Sequence, residues 1–150
     1  MGYTHYFELK KEPPASKFKK AVETLNAIFA EHNDLRALLA GWDGTGEPTF
    51  CGERIVFNGR ADKNEDYETF RVERARPEWA FCKTARMPYD VVVCITLLVL
   101  RKVLGAKTFT FSSDGTYYGD VANMDEGWAK AYELVAYLGI KPPKNRFKDE

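Results

Sequence analysis

Residues 79 to 90, "WAFCKTARMPYD", bring an indole, a phenyl ring, a thiol, an ammonium, a hydroxyl, a guanidinium and a phenol into one short stretch. An apolar run with helical end signals follows it. That places Lys83, Thr84 and Arg86 ahead of a helix start, where free backbone N–H groups and the positive end of the macrodipole favour an anion. Two cations and a hydroxyl would add charge-assisted bonds. Trp79, Phe81 and Tyr89 would supply a flat apolar wall for an aromatic ring, with Trp79 or Tyr89 stacking on a base. The plain alternative is a loop whose cations are solvated and whose rings anchor it to the core.

"SSDG" at 112 to 115 ends a strand pattern with two hydroxyls, a carboxylate and a glycine. In a ligand site Ser113 and Asp114 would reach polar edges; in a simple turn Asp114 would bond its own backbone. Asn58 and His5 complete the candidate pocket. Nucleophilic chemistry would need Cys82, His5 or Asp114, and the only sequence-local group able to activate the thiol is Lys83. No catalytic residue is therefore assigned, and a small hydrolase or transferase acting on a nucleotide stays as the alternative. No cofactor is expected.

Metal sites are not expected either. His5 and His32 are the only imidazoles, and Cys51, Cys82 and Cys94 show no Cys-x-x-Cys spacing. Oxygen-bearing residues at Asp62, Asn64, Asp66, Glu68 and Glu73 imitate a calcium-loop spacing, but Tyr67 stands where the sharp turn needs glycine. "GWDGTGEP" at 41 to 48 lacks the Lys and Ser/Thr of a phosphate loop.

The elements that must position these groups follow from periodicity. Alternation predicts a strand over 3 to 9. Helical spacing of Phe18, Val22, Leu25 and Phe29 predicts a helix capped by Ser16. A short helix follows from Asn33 or Asp34 to Gly41. A hairpin at 49 to 58 turning on Gly52 and Glu53, with Gly52 first as in a type II′ turn, and a strand at 68 to 74 come next. Pro88, Asp90, Arg101, Lys102 and Gly105 delimit a buried central helix, despite its β-branched Val91, Val92, Val93 and Ile95. A strand carries Phe109 and Phe111, and a final helix starts from a capping box at Asn123 and Glu126 and runs to Gly139. The order implies a single α+β domain with a mostly antiparallel sheet and helices largely on one face.

The chain has 150 residues, 45% hydrophobic and 14% aromatic, enough for one core. Its 22 basic and 22 acidic residues cancel, which removes the basic excess that duplex nucleic acid or an anionic membrane would reward. The start has no signal-peptide pattern, and Val91 to Leu100 is about half a membrane span. A cytoplasmic protein with a small-molecule partner is expected; homo-oligomerisation is left open.

The blocks "MGYTHYF" at 1 to 7, "IVFNG" at 55 to 59, "FCKTARMPYD" at 81 to 90 and "SSDG" at 112 to 115 resemble a group of small phage-encoded proteins. The resemblance implies an accessory protein acting in the host bacterial cytoplasm and names no ligand. By analogy with host-interference factors, it leads us to expect an anti-defence protein that sequesters a nucleotide-type signal of bacterial immunity. A protein-binding inhibitor docking through the hairpin edge at 49 to 58 is the third reading.

Overall fold

The computed structural model describes residues 2–147; Met1 of the opening block and residues 148–150 lie outside. The chain adopts the expected α+β class. In order it forms β1 (Thr4–Leu9), α1 (Ala15–Glu31), α2 (Asn33–Arg36), β2 (Leu39–Ala40), β3 (Thr49–Phe50), β4 (Arg54–Gly59), β5 (Phe70–Glu73), β6 (Trp79–Lys83), α3 (Asp90–Leu104), β7 (Phe109–Ser113) and α4 (Glu126–Val135). Short 3-10 turns sit at Ala61–Lys63, Val121–Asn123 and Ala136–Leu138.

Every strand pairing is antiparallel, and the strands divide into two sheets. The first runs β6-β1-β7, with Tyr6 opposite Phe81 on one side and Ser112 on the other. In the second, β4 pairs with β2, β3 and β5, and β3 and β5 flank the same residues Ile55 and Val56 on opposite edges. Alternation in β1 buries His5, Phe7 and Leu9 and leaves Thr4, Tyr6 and Glu8 on the other face. Phe7, Phe70, Phe57, Phe50 and Phe29 then form a continuous ring contact from β1 through the second sheet to α1, with centroids 4.9 to 5.5 Å apart.

Helix α3 is the centre of the molecule. Val92 to Leu100 are buried without a break, between α1, α4 and β7. Each large apolar side chain fully buried there contributes about 1.5 to 3 kcal/mol. Helical length with Asp90 in the first turn and Arg101, Lys102 and Gly105 at the end prevails over the β-branched content, because packing on several sides outweighs a modest propensity penalty.

Five local expectations are corrected, beginning with the short helix expected to reach Gly41, which ends at Arg36 and gives way to strand β2. The stretch at 79 to 83 is a strand and not a loop. Helix α1 begins directly after Pro14, with no side-chain cap from Ser16. Helix α4 begins after Asp125, and Asn123 belongs to the preceding 3-10 turn, so the capping box does not form. The β3–β4 connection spans residues 51 to 53, with the Cys51 N–H donating to the Arg54 carbonyl across it, and the expected type II′ turn is absent. Gly52 is not among the glycines of positive φ, which that turn would require at its first position.

Candidate functional site

Strand periodicity in β6 divides the predicted pocket between two sides of a sheet. Trp79, Phe81 and Lys83 lie on the outer face, while Cys82 points inward opposite His5 and is buried. Residues on opposite faces of one sheet cannot line a common cavity. Two groupings replace it.

The outer grouping is aromatic and open. Trp79 is 58% exposed and Phe81 52% exposed, their ring centroids 5.7 Å apart. Tyr6, opposite Phe81 on β1, stacks on Trp79 at 6.3 Å with an interplanar angle of 21°. Lys83 completes the row; its ammonium lies 5.7 Å from the ring centroid of exposed Tyr67. At the β7 end, the Asp114 carboxylate accepts from the Thr4 backbone N–H (3.0 Å) and the Tyr6 hydroxyl (3.1 Å). It therefore bridges strands rather than closing its own turn. Desolvation and the bond to Asp114 hold the Tyr6 phenol above its usual range.

The inner grouping is a buried polar chain. His5 Nδ1 meets Ser113 Oγ at 2.8 Å, and His5 Nε2 meets Asp90 Oδ1 at 2.6 Å. Ser113 Oγ already accepts from Trp128 Nε1–H (3.2 Å) and the Gly115 N–H (2.9 Å). A hydroxyl has two lone pairs and one hydrogen, so that hydrogen goes to Nδ1. His5 then carries its own proton on Nε2 and donates it to Asp90. Thr84 Oγ1 donates to the same carboxylate oxygen at 2.5 Å. Gly115 is required beside this chain, because a Cβ there would collide with the Tyr3 hydroxyl.

The remaining predicted residues serve structure. Tyr89 is buried and donates to the Glu68 carbonyl at 2.6 Å, so it offers no stacking surface. Asn58 is buried and clamps the backbone of Tyr67, donating to its carbonyl and accepting from its N–H, both at 3.0 Å. The Arg86 guanidinium sits over the Tyr3 ring, 4.0 Å from its centroid, and meets Asp125 at 2.6 Å. Ala85 and Arg86 both have positive φ, 50° and 59°, and these left-handed residues turn the chain after β6 so that Arg86 folds back over Tyr3.

Nucleophilic and metal chemistry find little purchase inside. Burial pushes the Cys82 thiol up to about 12, and its sulfur donates to the Glu68 carbonyl. The Cys94 thiol is also raised, by burial and then by Asp90. Both ring nitrogens of His5 are committed to Ser113 and Asp90, so no Cys82–His5 pair forms. His5, Asp90 and Cys94 have donor atoms within 4.8 Å of one another. The proton on His5 Nε2 makes that nitrogen a donor to Asp90 and leaves no lone pair there for an ion. An expected outcome follows for thiol labelling. Exposed Cys51 should react with Ellman's reagent in the native protein, whereas Cys82 and Cys94 should react only after denaturation; rapid native reaction of all three would refute the burial argument.

The chain matches no protein-family model, no curated protein and no solved structure. No helix among the described residues is long and apolar enough to cross a membrane.

Sequence reasoning placed Phe81 beside Trp79 and Tyr89 in the aromatic wall, but it missed Tyr6, and it missed Asp90 as the partner of His5. Tyr6 was legible, since it alternates with buried residues in β1. The Asp90 contact joins residues 85 apart in sequence and left no local signal.

Proposed function

We propose that this protein binds and sequesters an anionic nucleotide-type small molecule, with Trp79 and Phe81 stacking on the base and Lys83 meeting phosphate. The observation that carries this reading is the row of Trp79, Phe81 and Lys83 on the open face of β6, with Tyr6 stacked beside it. Exposed rings on an antiparallel sheet give sequence-tolerant base stacking, because every base has a π-face. Lys83 supplies the local charge that a neutral chain lacks. Asp114 sits where it could accept from a sugar hydroxyl or base amino group. In the phage setting that the sequence blocks imply, removal of a bacterial immune signal would make the protein an anti-defence factor.

The enzymatic alternative loses support from the buried, raised thiols and the fully committed His5. The hairpin-docking alternative loses support because β4 is flanked on both sides, leaving only Thr49–Phe50 as an outer strand of that hairpin. The test is to incubate the protein with host nucleotide extract, wash it, denature it by heat and identify released species by mass spectrometry. Intact nucleotide in proportion to protein is expected. Recovery of none, or conversion in excess of protein concentration, would refute sequestration.

A further inference from the structure

A cleft of about 470 Å³ opens on the opposite side of the first sheet, between α2 and the starts of α3 and α4. Its walls include Tyr3, Asp90 and Arg86, and its size falls within the range of about 300 to 1,000 Å³ typical of ligand sites. One buried polar atom on its wall has no hydrogen-bond partner, and a second has only a single weak one. The Tyr3 hydroxyl, on a residue only 3% exposed, has no hydrogen-bond partner. Asp90 Oδ1 takes both strong donors, from His5 and Thr84, while Oδ2 meets only the Cys94 thiol at 3.8 Å. A buried polar atom without a partner costs free energy, so such atoms in native proteins call for an explanation.

Charge identifies what would satisfy them. Asp34, Asp125 and Glu126 join Asp90 on the lining, against Arg86 and Lys130. Arg86 is spent on Asp125 and on the Tyr3 ring, which leaves carboxylates in excess. Gly127 packs directly against Oδ2, where a Cβ would collide with this oxygen.

We propose that this cleft is a second ligand site, independent of the outer sheet face, for a small organic cation bearing a primary amine or guanidinium group. Its N–H groups bond Asp90 Oδ2 and the Tyr3 hydroxyl oxygen, and Asp34 and Glu126 complement its charge at the rim. An ammonium donates to both acceptors at once; an anion would meet the excess carboxylates instead.

The experiment titrates putrescine and agmatine, with succinate as the anionic control, into isotopically labelled full-length protein followed by NMR. Saturable shifts at Asp34, Gly127 and Lys130 are expected for the two amines and none for succinate. Asp90→Asn keeps an oxygen to accept from His5 and Thr84 while turning Oδ2 into a donor, and should weaken amine binding more than about tenfold, as loss of a charge-assisted bond implies. Tyr3→Phe should weaken binding several-fold with a melting temperature unchanged or higher, because an unsatisfied hydroxyl has been removed. The proposal is overturned if neither amine shifts the cleft residues at millimolar concentration, if magnesium competes both amines away at equal concentration, or if both variants bind them as the parent does.

Discussion

Replacing His5 by alanine is expected to destabilise the protein by about 3 to 5 kcal/mol, the cost of removing one member of a buried polar pair. The imidazole is completely buried and bonds at both nitrogens, so its loss creates two separate deficits. Asp90 would keep Thr84 but lose its other strong donor, and each deficit of this kind costs about 1 to 3 kcal/mol, more for a charged group. Ser113 would hold a hydrogen with no acceptor while still accepting from Trp128 and Gly115. The void between Tyr3 and Trp128, both edge-on to the imidazole at 5.2 and 5.4 Å, adds a packing loss. Against a total stability of about 5 to 15 kcal/mol this is a large fraction. His5→Gln should lose less, since an amide offers one donor and one acceptor. Urea denaturation of the three proteins measures both effects; a loss below about 1 kcal/mol for His5→Ala would mean that the polar chain does not hold β1, α3 and β7 together.

This chain of contacts also marks the limit of what the sequence disclosed. The amphipathic pattern of α1 and the end signals of α3 are local, because they arise from side chains one turn apart, and both helices form where those signals place them. Strand β6 was obscured by its own functional richness. Its five residues mix rings, a thiol and an ammonium, so the alternation of outward Trp79, Phe81 and Lys83 with inward Cys82 resembled an irregular loop. Once the strand is recognised, period two separates residues that adjacency in sequence had grouped together. His5 and Ser113 were both singled out, yet their meeting depends on the β1–β7 register, and Asp90 joins them only because α3 packs beneath the sheet. Such contacts are set by tertiary packing. The two predicted groupings of Tyr89 with Trp79, and of Asn58 with His5, fail to form for the same reason: Tyr89 turns into the core and Asn58 is used to hold the 65–69 loop.

Substituting Trp79 by alanine is expected to separate ligand binding from folding. The indole is 58% exposed and contacts chiefly other surface rings, so its removal should leave the denaturation midpoint close to that of the parent. If it stacks on a base, affinity for the nucleotide recovered from host extract should fall by about 5- to 150-fold, the equivalent of roughly 1 to 3 kcal/mol per stacked base. Trp79→Phe should retain much of that affinity because a π-face remains. Lys83→Ala provides the internal control. Its loss of affinity should shrink as salt is raised, since screening already weakens an exposed charge pair, whereas the Trp79→Ala loss should persist at high salt. Equilibrium dialysis at two ionic strengths distinguishes the two contributions. Unchanged affinity in Trp79→Ala at both would remove the stacking face from the binding site and with it the reading of the outer sheet as a nucleotide platform.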